Sequence, residues 1–126
     1  MVKRMPSHRN LQVWQRAMKF VESVYQATET FPRREAYALS DQVRRAVVSI
    51  PANIAEGHGR RTDGAFALHL DIALGSLAEV DTLLQVARNL GYLSPARHEA
   101  LLAELTEIRK MLYGLYRSVR PTRRQP

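Results

Sequence analysis

An all-α fold, an antiparallel up-down-up-down four-helix bundle, is what this sequence predicts, and three observations lead to it. Apolar residues recur three and four apart through four separate segments, the period that lines one face of a helix. No segment alternates with period two, so there is no strand pattern from which to build a sheet. Only short stretches of proline, glycine and capping residues separate the segments, and short connections make neighbouring helices antiparallel. The helices are expected at about 10–30, 40–57, 63–89 and 95–119, in a single domain over residues 1–126 with basic, flexible termini. A chain of 126 residues is long enough to bury a core without staples.

In the first helix Leu11, Trp14, Met18, Val21, Tyr25 and Thr28 share one stripe, and Val13, Ala17, Phe20 and Val24 form a second beside it. Two stripes are more than one bundle face needs. Val13, Trp14 and Phe20 are therefore candidate contacts with another subunit, with an overfilled core as the competing account. Phe31-Pro32 closes the helix, because proline disfavours helical geometry in the residue before it.

Ser40 is the expected N-cap of the second helix, whose buried line is Val43, Ala46 or Val47, Ile50 and Ile54. Thr62 or Asp63 caps the third, which carries Phe66, Leu70, Ala73, Leu77, Val80, Leu84 and Ala87 and stops at Asn89-Leu90-Gly91. Ser94-Pro95 starts the fourth: serine caps free amides, and proline at the first position gives up a donor that has no partner there. Leu101, Leu105, Ile108, Leu112, Leu115 and Val119 line its inner face until Pro121.

The stretch SIPANIAEGHGRRTDG, residues 49–64, breaks this regularity. It lacks the lysine-hydroxyl end and the preceding strand of a phosphate loop. His58 has no histidine four residues away to share a metal ion, so no metal ion and no cofactor are expected. Ser49 and Ser76 lack a base and an orienting acid nearby in the pattern, and Ser76 after Gly75 marks close helix approach instead. Pro51 leaves the carbonyl of Val47 without its amide and bends the helix. Asn53 and Glu56 then bond locally or to an arginine, and Gly57 and Gly59 end the helix. The stretch reads as a hinge between two helices.

Without cysteine, disulfides, thiolate catalysis and thiolate metal sites are excluded. The start MVKRMPSHRN has no apolar run after it, and nothing approaches the roughly 20 apolar residues that span a bilayer. A soluble, cytoplasmic protein is expected.

The net charge is +7 and the pI about 10.4, a balance that favours a polyanionic partner. Residues 62–90 carry one cation and four acids, whereas residues 1–34 carry seven and two and residues 91–126 seven and three. The topology brings both termini and the connection between helices two and three to one end. That end gathers Lys3, Arg4, Arg9, Arg60, Arg61, Arg117, Arg120, Arg123 and Arg124, nine of the nineteen cations, with His8 and His58 nearby. Such a cluster makes a salt-sensitive phosphate-binding face; the alternative is a solvated rim that only aids solubility. Arg33 and Arg34 lie at the other end. Arg44 and Arg45 lie part way along helix two, where they join the nucleic-acid surface or pair with an acid of helix three such as Asp71 or Glu79. No helix presents a base-reading polar face, so sequence-specific recognition is not expected.

The runs LQVWQRAM (11–18), TETFPRREAYALSDQVRRAVVSIPANIAEGHGR (28–60), FALHLDIALGSLAEVDTLL (66–84) and LGYL (90–93) resemble the bacterial four-helix-bundle proteins named for the 23S ribosomal RNA intervening sequence. The likeness is close over residues 11–93 and extends to the fourth helix by pattern. QVRRA, SIPANIAEG and IALGSL in this order are its specific part. The resemblance implies an antiparallel four-helix bundle. Through relatives that include the accessory proteins of diversity-generating retroelements, it also implies a ring-like homopentamer with a basic surface that binds nucleic acid and a reverse transcriptase, and in such a ring Arg33, Arg34, Arg44 and Arg45 would line the interior.

The function expected is a non-enzymatic oligomeric scaffold that binds RNA or DNA through its basic surfaces, alone or with a protein partner. The alternative is a protein-protein interaction module whose charge is incidental. A hydrolase or nuclease finds no converging acid-base or metal constellation in the pattern.

Overall fold

The computed structural model describes residues 6–120. Its helices are α1 (Gln12–Thr28), α2 (Leu39–His58), α3 (Asp63–Asn89) and α4 (Pro95–Val119), with single 3-10 turns at His8–Asn10 and Arg33–Glu35. No strand occurs among the described residues. Helices α1 and α3 each pack against both α2 and α4, which closes a four-sided bundle with α1 diagonal to α3. Residues 29–38, 59–62 and 90–94 connect them, so each helix returns along its predecessor and the bundle is antiparallel, as the spacing predicts.

The expected core lines of the last three helices face inward. Val43, Ala46, Val47, Ile50 and Ile54 of α2 are buried, as are all seven expected residues of α3. In α4 Leu101, Leu105, Ile108, Leu112 and Val119 are buried, with Leu115 packed at the edge. Each large apolar side chain removed from water here contributes about 1.5–3 kcal/mol.

In α1 only one of the two stripes turns inward. Val13, Ala17, Phe20 and Val24 are core, whereas Leu11, Trp14 and Val21 are half-buried and Met18 and Tyr25 are exposed. This corrects the expectation for Val13 and Phe20: they fill the core of their own chain and have no surface left for another subunit. Trp14 keeps part of its ring at the surface.

The starts of α3 and α4 and the end of α3 follow the expected local chemistry. The Thr62 hydroxyl accepts from the Ala65 amide at 3.1 Å and the Ser94 hydroxyl from the Arg97 amide at 3.1 Å. Gly91, at φ +80°, ends α3 in the left-handed conformation, and the Tyr92 amide closes back on the Ala87 carbonyl at 2.9 Å. Ser40, however, caps nothing. Helix α2 begins one residue earlier at Leu39, after Ala38, and Ser40 is buried inside the first turn. The Leu39 amide is met instead by the Glu35 carboxylate at 3.4 Å.

Helix α1 is shorter than its pattern at both ends. Extended Leu11 separates it from the Ser7-capped turn at His8–Asn10, and beyond it the Thr30 hydroxyl bonds back to the Ala27 carbonyl at 2.9 Å. Side-chain bonds of this kind offer the backbone an alternative to further helix.

Candidate nucleic-acid interface

Helices α1 and α3 start, and α2 and α4 finish, at one pole of the bundle. The rings of His8 and His58 meet there edge to face at 6.4 Å, which ties the chain before α1 to the end of α2. His8 also abuts Trp14 at 5.1 Å, and His58 abuts Phe66 at the start of α3 at 6.0 Å. An aromatic seam thus fastens three segments remote in sequence.

The stretch 49–64 builds the turn at this pole. Pro51 is buried within a helix that continues past it to His58. Asn53 donates to the Ser49 carbonyl at 2.8 Å and accepts from His69 Nδ1 at 3.2 Å, joining α2 to α3. Glu56 takes Arg60 as an ion-pair partner at 3.0 Å. Gly57 does not end the helix, contrary to expectation. It lies inside α2 where α3 comes closest: a Cβ there would stand 2.6 Å from the His69 Cβ and 3.0 Å from Phe66 Cδ1. Gly59 is the C-cap, yet its φ of −76° is right-handed, so neither glycine supplies a left-handed stop.

Of the expected basic residues, Arg9, Arg60, Arg61, Arg117 and Arg120 lie at this pole and are exposed. Arg9 stacks over the Trp14 ring at 5.4 Å. Lys3, Arg4, Arg123 and Arg124 fall outside the described residues. The arrangement offers guanidinium groups from three chain segments to one ligand, and guanidinium forks match phosphate oxygens.

Arg44 and Arg45 are elsewhere. They lie in the second turn of α2, on the order of 20 Å from the pole at 1.5 Å per residue. Neither pairs with Asp71 or Glu79. Arg44 turns toward α1, donating to the Thr28 hydroxyl at 2.8 Å and covering the Tyr25 ring at 5.0 Å. Arg45 meets Asp41 one turn away at 3.8 Å at the exposed surface. Arg44 is turned to the α1 flank of α2, whereas Arg45 shares an open groove with Glu79 and is taken by the nearer Asp41.

Two features escaped sequence reasoning. At the far pole Tyr92 donates to Glu35 at 2.9 Å and packs on Phe31, with Arg34 over its ring at 5.9 Å. This clamp ties the α1–α2 connection to the α3–α4 turn. Inside α4, His98 is 3 % exposed, with Nδ1 facing the Arg88 guanidinium at 3.0 Å and Nε2 without a partner. No periodicity marks either pairing.

Among the described residues no three His, Asp or Glu side chains gather closely enough to hold a metal ion, and no helix is long and apolar enough to cross a membrane. The surface depressions are open grooves. One between α1 and α4 is lined by Gln12, Gln15, Arg16, Lys19 and Met111.

Residues 9–114 match the family model described as 23S rRNA-intervening sequence protein. No curated protein matches the chain. Among solved structures, the chain is similar to a protein of unknown function from the S23 ribosomal protein family of Bacteroides thetaiotaomicron. The two are 24% identical with a TM-score of 0.76, over 83% of this chain and 95% of that one. That likeness speaks to the fold.

Proposed function

Because the chain belongs to the 23S rRNA-intervening sequence protein family, we propose that it works as a non-enzymatic, cytoplasmic, oligomeric scaffold that binds nucleic acid, RNA first, through its basic pole. The observation that carries this reading is the convergence of Arg9, Arg60 and Arg61, and Arg117 and Arg120 from three chain segments on one end of the bundle. Phosphate is the ligand such an end fits, because each neutralised phosphate releases condensed counterions and so drives association. The contact is to backbone and shape, not to base sequence. Ring assembly as a homopentamer, kinship with the retroelement accessory proteins and a reverse-transcriptase partner extend the same reading.

A fluorescently labelled RNA hairpin titrated at several salt concentrations tests it. Binding that weakens steeply with salt is the expected result; absence of binding at low salt, or affinity indifferent to salt, contradicts it. The second reading, a protein-protein interaction module, is favoured by the apolar side chains that α3 turns to solvent, Leu68, Ile72 and Val86, with exposed Leu90 at its C-terminal cap. Under that reading, neutralising the polar arginines leaves partner binding intact.

A further inference from the structure

Two helices carry an apolar seam in addition to the one they bury. On α3, Leu68 (59 % exposed) and Ile72 (44 % exposed) lie one turn apart on the solvent side, and Gly75 and Glu79 continue the same three-four spacing. Exposed Asp71 flanks the row, and neither Asp71 nor Glu79 forms an ion pair among the described residues. On α1, Met18 (42 % exposed) and Tyr25 sit outside with half-buried Trp14 and Val21. That seam is bracketed by cations: Arg9 over Trp14 and Arg44 over Tyr25.

The two seams fit one another. Trp14 to Tyr25 and Leu68 to Glu79 each span about 16 Å of helix. Both helices start at the basic pole and run the same way. Counting from their first residues, Gln12 and Asp63, places Leu68 level with Ala17 and Met18, Ile72 with Val21, and Glu79 with Thr28, whose hydroxyl holds Arg44. Apolar side chains therefore meet apolar ones, and the acid meets the arginine, when two copies stand side by side with their poles level. The reversed orientation puts Glu79 beside the lower turns of α1 and loses the match.

We propose that the outward seam of α3, Leu68 and Ile72 with Glu79, docks on the α1 seam, Met18, Val21 and Tyr25 with Arg44, of a second copy of this chain. The contact is heterologous: each copy offers both faces at once, so association continues until a ring closes or a filament grows. Level packing also sets the basic poles of neighbours side by side. The inference rests on the oligomeric part of the reading above and not on its nucleic-acid part.

The test is light scattering of the full chain without nucleic acid, on wild type, Leu68→Glu and Met18→Glu. Both positions are exposed and glutamate is a good helix former, so circular dichroism should match wild type. Wild type is expected to assemble, each variant alone to be monomeric, and an equimolar mixture to form dimers, since one intact α1 seam and one intact α3 seam remain between them. Wild type that stays monomeric overturns the oligomeric reading as a whole. Variants that assemble like wild type, or a mixture that stays monomeric, overturn this choice of faces while leaving oligomerisation standing.

Discussion

Gly57 and His69 stand so close across the α2–α3 contact that a methyl group on the glycine would lie 2.6 Å from the histidine Cβ. That obstacle is the root of a side chain, which moves only if the helix moves. Gly57→Ala is therefore expected to lose up to about 2 kcal/mol, the overpacking cost of about 1–3 kcal/mol less the roughly 1 kcal/mol that alanine gains over glycine in a helix. Gly114→Ala is the control: a Cβ there meets nothing within 4 Å, and a gain of about 0.5–1 kcal/mol is expected. Urea unfolding of both variants checks the opposite signs.

Thr62 and Ser94 each satisfy an amide that its helix cannot. Thr62→Ala and Ser94→Ala are expected to cost about 1 kcal/mol apiece, and to add when combined, because the two caps sit at opposite ends of the bundle. Thermal unfolding of the single and double variants measures this.

His98 is buried with one nitrogen facing Arg88 and the other unpartnered. Leucine there gives up the Arg88 contact and removes the orphaned donor, so His98→Leu is expected to change stability by less than about 1 kcal/mol. His98→Ala also opens a cavity and is expected to cost about 2–3 kcal/mol. Chemical denaturation separates the two substitutions.

The helices were legible because their signals are local. Thr62, Ser94 and Gly91 act within a turn of where they stand, and core lines such as Phe66-Leu70-Ala73-Leu77 need only the helical period. What depends on a neighbour was not. Gly57 looks the same in sequence whether it stops a helix or admits another; Phe66 and His69 decide which. Of the two stripes on α1, the inward one is chosen by where α2 and α4 pack. Arg44 was open between a ring interior and the acids of α3, and its actual partners, Thr28 and Tyr25, lie on a helix the charge pattern did not single out. The basic pole was legible because it follows from topology and charge alone. The outward seam of α3 was not read from the sequence, because the inward line beside it already accounts for the helical period and only the packing shows that Leu68 and Ile72 stay exposed.

If one pole of the bundle, and not the whole cationic surface, holds a polyanion, removing its arginines should cost far more binding than removing those of the far pole. The most direct measurement compares two variants with wild type by RNA-binding anisotropy across a salt series. In one, Arg9, Arg60, Arg61, Arg117 and Arg120 become glutamine; in the other, Arg33, Arg34 and Arg97 at the far pole do. The first variant is expected to lose most of the salt dependence, about 0.7–0.9 in the slope of log affinity against log salt for each phosphate contact removed. The far-pole variant is expected to keep the wild-type slope. Equal losses in both variants, or a wild-type slope in the first, would contradict binding at the basic pole.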